Sequence, residues 1–95
     1  MDDKWRRAAR FEFDERKSRI NKLKRGIDFD EARALWLDQR LAWAPAGVSL
    51  EERFVVIGRL DGKPWSAVVT MRGDAVRLIS VRRSRAREVE AYESQ

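Results

Sequence analysis

The stretch that decides the fold is residues 53–81, which reads RFVVIGRL-DGK-PWSAVVTM-RGD-AVRLISV. It contains three runs of apolar and β-branched residues, and the first two runs end in the turn sequences Asp61-Gly62 and Gly73-Asp74. Such residue pairs adopt the backbone conformations that tight hairpin turns require. Because strands joined by tight turns pair in antiparallel fashion, this stretch predicts an antiparallel sheet.

The residues before this stretch predict a short strand and a helix. Residues 11–13 (FEF) alternate apolar and polar side chains, which is typical of a strand. Asp14 can cap a helix that runs to the residue before Gly26, and this glycine can end the helix in a left-handed conformation. Ile20 and Leu23 form a thin apolar stripe on this helix, so we expect it to pack lightly through them.

A second helix is predicted to begin after Asp28. Asp28 can cap it, and Glu31, three residues later, completes a capping box. The apolar residues that follow have helical spacing; they are Phe29, Ala32, Leu35 and Trp36. Residues 41–50 contain a proline and a glycine, and they are predicted to form a loop.

Together these elements predict an α+β domain with two N-terminal helices packed on a small antiparallel sheet. A short C-terminal helix, capped by Ser84 and running through Tyr92, closes the domain. Residues 1–10 are basic and have no clear period, so they are predicted to be a leader. Residues 11–95 then form a single domain, which suits a chain of 95 residues.

The composition favours a polyanionic partner and restricts the chemistry. The net charge is +5 and the pI is near 10.2, values typical of proteins that bind nucleic acid or an acidic partner. The chain contains no cysteine and no histidine, so acid–base chemistry has to use other side chains. The charged N-terminus and the lack of a long apolar segment predict a cytoplasmic protein.

Arginines fall at the ends of the predicted strands. Strand alternation places Arg82 on the same face as Val76 and Ser80, and Arg83 on the opposite face. One interpretation is a rim in which Arg72, Arg82, Arg83 and Arg59 hold phosphates. The alternative is that these side chains are solvated and only prevent edge-to-edge pairing of strands.

The first predicted helix carries a second group of cations. Most of these side chains are expected to form its solvated face. Lys24 and Arg25 lie at the C-terminal end, where positive charge stabilises a helix dipole. This position explains both residues without a chemical role, so a functional role for them rests on further evidence.

The order of several short motifs resembles the BrnT toxin family. The motifs, in chain order, are Phe11-Glu12-Phe13-Asp14, Asn21, Lys24-Arg25-Gly26, Phe29, Glu31-Ala32, Glu52-Arg53-Phe54, Ile57-Gly58, Arg72-Gly73-Asp74, Ile79-Ser80-Val81-Arg82, Glu88 and Tyr92. Two departures are visible. Arg25 stands where the family's Lys-His-Gly turn has histidine, and Val69-Thr70 stands where the family often has Tyr-Thr.

The resemblance implies a RelE/ParE-like fold and a ribonuclease toxin of a type II toxin–antitoxin pair that stops translation. It also implies a BrnA-like antitoxin with a ribbon-helix-helix DNA-binding part, through which the complex represses its own operon. Carried over by motif, the lysine of the family's turn falls on Lys24, and the arginines of two further motifs fall on Arg72 and Arg82.

The mechanism that we expect uses the 2′-hydroxyl of RNA as nucleophile and needs no metal or cofactor. Lys24 transfers the proton, while Arg72 and Arg82 stabilise the charge that builds up on the phosphate. The predicted RNA-binding residues are Arg25, Arg53, Arg59 and Arg83. Two alternatives stay open: a non-catalytic nucleic-acid-binding or corepressor module, and a gyrase poison of the ParE kind.

Overall fold

The computed structural model describes residues 10–47 and 51–95, which form an α+β fold around a five-stranded sheet. The strands are β1 (Arg10–Glu12), β2 (Ala42–Pro45), β3 (Phe54–Leu60), β4 (Lys63–Arg72) and β5 (Ala75–Arg83), in the spatial order β1-β5-β4-β3-β2. The helices are α1 (Glu15–Arg25), α2 (Phe29–Ala32) and α3 (Ala86–Glu93), with a 3-10 helix at Arg33–Leu37. Of the predicted leader, all but Arg10 lies outside the described residues.

The sheet is mixed, so the predicted RelE/ParE-like arrangement of two N-terminal helices on a small antiparallel sheet is wrong. The hairpins β3–β4 and β4–β5 are antiparallel, as their turn sequences predict. However, β1 comes before both N-terminal helices and pairs in parallel with β5, with Phe11 opposite Val76. A parallel neighbour needs a long connection, and here it is the whole chain between β1 and β5. No turn sequence reveals such a pairing.

A further strand, β2, lies within the predicted loop. It pairs in antiparallel fashion with β3, with Trp43 opposite Val56, and it forms one edge of the sheet. Its last residue is Pro45, which has no N–H to donate. Proline is tolerated at an edge because one side of that strand makes no ladder hydrogen bonds. The proline signal therefore indicated an edge strand, not the absence of one.

The predicted ends of α1 and the predicted start of α2 are confirmed, whereas the predicted cap of α3 is wrong. Asp14 accepts a hydrogen bond from the Lys17 backbone N–H at 3.0 Å, and Gly26 ends α1 with φ of 84°. Asp28 and Glu31 form the predicted capping box at the start of α2. This second helix has only four residues before it tightens into the 3-10 helix. At α3, Ser84 is not the cap; the helix begins after Arg85, whose N–H donates to the Glu88 carboxylate at 2.8 Å.

Helix α1 packs through polar residues, and the predicted apolar stripe faces away from the sheet. Ile20 is 43% exposed and Leu23 is 87% exposed. The buried residues of this helix are Ser18 and Asn21. Ser18 accepts a hydrogen bond from the Phe29 backbone N–H at 2.9 Å, which ties α1 to the start of α2.

Asn21 connects α1 to the sheet through its side-chain amide. Its Nδ2 donates to the carbonyl oxygens of Val81 at 2.9 Å and of Ile27 at 2.8 Å. Its Oδ1 accepts from the Val81 backbone N–H at 3.2 Å. Strand β1 covers β5 only as far as Arg77, so Asn21 pairs with the strand where β1 has already ended.

A bulge in β5 changes which residues share a face. Val68 pairs with Ser80 and Val69 pairs with Leu78, which leaves Ile79 as the extra residue. Because directly opposite residues point to the same side of a sheet, Ser80 lies on the face opposite to Leu78. Arg82 follows Ser80 by two positions and shares its face. Strict alternation had placed Arg82 with Val76, and that prediction is wrong.

Different segments of the chain pack against the two faces of the sheet. One face packs against the segment from Ile27 to Leu41 and includes Val56, Ala67, Leu78 and Val81. The other face contributes a smaller cluster, in which Ala42, Val55 and Ile57 pack against Tyr92 of α3. Within the described ranges, no helix is long and apolar enough to cross a membrane.

The first prediction concerns Asn21. Replacing it with leucine leaves the N–H and carbonyl of Val81 and the carbonyl of Ile27 without their partner. An unsatisfied buried polar group costs ~1–3 kcal/mol, so we expect Asn21→Leu to lower the free energy of unfolding by about 3 kcal/mol. Urea denaturation measures it. Leu23→Ala, on the exposed face of the same helix, is the control and should change stability by less than ~0.5 kcal/mol. Equal stability of the two variants would contradict the assigned role.

Candidate nucleic-acid interface

The predicted arginines occupy opposite ends of the sheet. We call these the Gly62 end, where the β3–β4 turn lies, and the Gly73 end, where the β4–β5 turn lies. Arg59, Arg82 and Arg83 are at the Gly62 end, while Arg53 and Arg72 are at the Gly73 end. Arg82 pairs with Ser66, six positions before Arg72 on β4, which is a separation of ~20 Å at ~3.3 Å per residue. Arg72 and Arg82 therefore cannot hold the same phosphate.

Helix α1 brings two of the predicted residues to the Gly62 end. Asn21 of this helix is hydrogen-bonded to Val81, two positions before Arg83 on β5. Lys24 and Arg25 lie in the helical turn that follows Asn21. Both side chains are exposed, and neither has a hydrogen-bond or ion-pair partner in the described part of the chain. The Gly62 end thus combines cations from α1 and from β5.

Arg82 is held by an ion pair with Glu88 of α3. The two Nη atoms of Arg82 donate to the two carboxylate oxygens of Glu88 at 2.7 and 2.8 Å. The side chains are only 15% and 17% exposed. Glu88 also accepts from the Ser66 hydroxyl at 2.9 Å, and Ser66 is hydrogen-bonded to Ser84. This network fixes the start of α3 against β4 and β5.

Arg82 and Glu88 are both ionised at neutral pH. The hydrogen bonds from Arg82 lower the pKa of Glu88 to about 2, although partial burial opposes that change. The same pairing raises the pKa of Arg82. A carboxylate with so low a pKa is a weak base and is not a proton donor at neutral pH. Glu88 is therefore a positioning residue for Arg82 and α3.

Arg83 is the exposed neighbour of this buried pair. It points to the opposite face, where its guanidinium lies 5.5 Å from the centroid of the Trp65 ring. Its Nε donates to the Pro64 carbonyl at 3.3 Å. No carboxylate pairs with it among the described residues, so its charge is available to an anion. An accessible guanidinium above an indole ring can contact both a phosphate and a base.

Arg59 is engaged with α3 and the adjoining turn. Its guanidinium donates to the Gly62 carbonyl at 3.0 Å and to Glu93 at 3.2 Å, and it lies over the Tyr92 ring. The Tyr92 hydroxyl donates to Asp38 at 2.6 Å. Burial and this hydrogen bond raise the pKa of Tyr92, so the phenol stays protonated. These contacts seat the end of α3 on the sheet.

The Gly73 end carries more loosely paired cations. Glu51 lies 3.6 Å from Arg53 and 3.8 Å from Arg72, and these side chains are all at least 39% exposed. Exposed ion pairs contribute ~0–1 kcal/mol, so a phosphate can replace them at little cost. The Nε of Arg53 is buried and has no hydrogen-bond partner among the described residues. Here the structure brings together Arg53, which was predicted to bind RNA, and Arg72, which was predicted to be catalytic.

The comparison with known families identifies the chain. A family described as "Ribonuclease toxin, BrnT, of type II toxin-antitoxin system" matches residues 13–88. The chain belongs to the BrnT family. The resemblance read from the sequence motifs is therefore confirmed. A search of curated proteins finds no match. As a BrnT protein, the chain is a ribonuclease toxin that pairs with an antitoxin.

Sequence reasoning about this BrnT toxin missed the role of Glu88. The residue lies three positions after Arg85, the same spacing that identifies the capping box of α2. From this spacing, the start of α3 after Arg85 could have been predicted from the sequence. The pairing with Arg82 could not be seen, because it depends on the bulge at Ile79.

The potential metal ligands of the BrnT toxin are dispersed. Across residues 10–47 and 51–95, no three acidic, histidine or cysteine side chains are grouped so that they could hold a metal ion. The acidic side chains at helix starts, Asp14, Glu31 and Glu88, are occupied by backbone N–H groups. These three carboxylates therefore have a structural role at the starts of the helices.

The second prediction concerns the pH dependence of the Arg82–Glu88 pair. The folded pKa of Glu88 is about 2, below its ordinary value of 4.5, so the pair stabilises the fold above pH 4.5 and is lost as the pH falls toward 2. Glu88→Gln should lose about 3 kcal/mol at pH 7 and only about 1 kcal/mol at pH 3 relative to the wild type. Urea unfolding at both pH values measures this difference. Glu90→Gln, on the same helix, is the control and should show neither loss. A deficit for Glu88→Gln that does not change with pH would contradict the pKa assignment.

Proposed function

We propose that this BrnT toxin cleaves RNA without a metal ion, at a surface formed by Lys24, Arg25, Trp65 and Arg83. We call this the Arg83 surface. The observation that carries the proposal is that the amide of Asn21, one helical turn before Arg25, is hydrogen-bonded to Val81, two positions before Arg83. Lys24, Arg25 and Arg83 are exposed and have no carboxylate partner among the described residues.

RNA supplies its own nucleophile, so the protein has three tasks. It has to help remove the proton of the 2′-hydroxyl, stabilise the charge on the phosphorane, and protonate the 5′ oxygen that leaves. The chain has neither histidine nor cysteine, and Lys24 takes the proton-transfer role. Arg25 and Arg83 supply charge to the phosphorane. Arg82, on the opposite face of the sheet, remains bound to Glu88.

The substrate that suits this surface is single-stranded RNA. A base that is not paired can stack on an aromatic ring or on a guanidinium plane. Trp65 and Arg83 present both groups at one place. Arg53 and Arg72, at the far end of the same sheet, hold phosphates that flank the cleaved bond. Arg59 contributes positive charge near the Gly62 end while it remains bound to Glu93.

The family also suggests the partner of the toxin and the effect of the toxin in the cell. We propose that the antitoxin is BrnA-like, with a ribbon-helix-helix part through which the complex contacts operator DNA. RNA cleavage by the free toxin then inhibits translation, which places the activity in the cytoplasm. The net charge of +5 suits both polyanionic RNA and an acidic antitoxin.

The third prediction is the experiment that tests the reaction. The purified toxin is incubated with a labelled mixed-sequence RNA in EDTA, without ribosomes, and the product ends are examined. We expect 2′,3′-cyclic phosphate ends. Lys24→Ala should slow cleavage ~10²-fold or more, because a general acid–base contribution is of that size, and Arg83→Ala should also slow it. Arg33→Ala, an exposed cation of the 3-10 helix, is the control.

Arg72→Ala distinguishes the two ends of the sheet. If the reaction occurs at the Arg83 surface, this variant weakens RNA binding but leaves the rate at saturating RNA unchanged. An equal loss of rate in Lys24→Ala and Arg33→Ala would overturn the assignment of Lys24. Intact RNA that remains bound to the toxin would instead indicate a non-catalytic RNA-binding protein.

A further inference from the structure

The outward face of α1 carries two exposed apolar side chains within a basic surface. Ile20 is 43% exposed and Leu23 is 87% exposed, three positions apart on the side away from the sheet. Arg16 and Arg19 share this side of the helix, by the 3.6-residue period. A leucine so exposed gains nothing from the fold of this chain alone, and an apolar patch with a polar rim often marks a site for a partner.

A groove lies beside this face. It has a volume of about 520 Å³ and is open to solvent, and its lining includes Phe13 and Leu23. Arg19 lies on the α1 side, while Asp28 and Asp30, at the start of α2, line the other side. The groove thus offers apolar contact surface between two charged walls.

The groove lining includes a further carboxylate, Glu15, but the outward face of α1 around Ile20 and Leu23 is positive. Asp30 is paired with Arg33 at 3.0 Å, and Asp28 accepts the backbone N–H of Glu31 at 2.7 Å. In contrast, Arg16 and Arg19 have no ion-pair partner within the described ranges. An incoming segment therefore gains most by bringing carboxylates to Arg16 and Arg19 on the outward face of α1.

We propose that this groove, together with Ile20 and Leu23, is the docking site for an acidic amphipathic helix of the antitoxin. Apolar residues of that helix at positions i and i+3 or i+4 pack on Phe13, Ile20 and Leu23, as in other helix-in-groove complexes. Its carboxylates pair with Arg16 and Arg19. The partner itself follows from the family, which is a toxin of a toxin–antitoxin pair.

The site also explains how binding can silence the toxin. Lys24 follows Leu23 directly, so a helix docked on Leu23 covers the end of α1 and blocks RNA from reaching the Arg83 surface. This consequence rests on the proposed function. The docking itself does not, because it is measured as binding and not as RNA cleavage.

The fourth prediction tests the docking site with the intact toxin and its purified cognate antitoxin. Leu23→Ser and Ile20→Ser should each weaken binding by ~10-fold or more, the size expected for a side chain at the centre of an interface. Leu37→Ser is the matched control, because Leu37 is 83% exposed but lies on the 3-10 helix. It should bind as the wild type does. Calorimetry measures affinity, and thermal unfolding verifies that each variant is folded.

Hydrogen exchange and salt dependence also test the docking site. Amide hydrogen exchange of the complex should show new protection in the exposed parts of α1 and in the turn before α2. Binding should also weaken with added salt, and less steeply in an Arg16→Gln, Arg19→Gln variant. Unchanged affinity of both Ile20→Ser and Leu23→Ser, an equal loss in Leu37→Ser, or protection confined to the sheet would overturn the proposal. So would loss of RNA cleavage in Leu23→Ser with unchanged antitoxin affinity, since the groove would then belong to RNA.

Discussion

The hydrogen bonds between the Asn21 amide and the backbone of Val81 are the contact on which the arrangement of this molecule depends. Strand β1 is three residues long and cannot cover the whole of β5. The N–H and carbonyl of Val81, which β1 does not reach, are buried and would otherwise lack these partners, which is costly. An amide side chain supplies both a donor and an acceptor, so Asn21 continues the pairing that β1 leaves off. It thereby holds α1 against β5 at Val81.

The second organising feature is the division of roles between Arg82 and Arg83. Adjacent residues of a strand point to opposite faces, and α3 covers only one of them. Arg82 faces α3 and is bound to Glu88 in a largely buried pair, whereas Arg83 faces solvent above Trp65. Buried ion pairs are costly to break, so Arg82 stabilises the fold while Arg83 remains available to an anion.

Much of the fold could be predicted from local sequence, and the predictions that were wrong have physical causes. The two hairpins and the caps at Asp14, Asp28 and Gly26 were predicted, because turns and caps depend on a few neighbouring residues. The packing face of α1 was predicted wrongly, since buried polar residues such as Ser18 and Asn21 resemble solvated ones in sequence. The predicted site residues lie at two different ends of the sheet. Local sequence could not show this, because the strand register depends on pairing between distant segments and on the bulge at Ile79.

The sequence by itself determined the chemistry that is available: a basic chain without histidine or cysteine, two hairpins, capped helices and the motifs of the BrnT family. These properties are carried by residue types and short spacings. The tertiary structure decided which cations are free and which are bound, because burial and ion pairing depend on residues far apart in the chain. It bound Arg82 to Glu88 while leaving Arg83 exposed, separated Arg72 from Arg82, and left Leu23 exposed beside a groove.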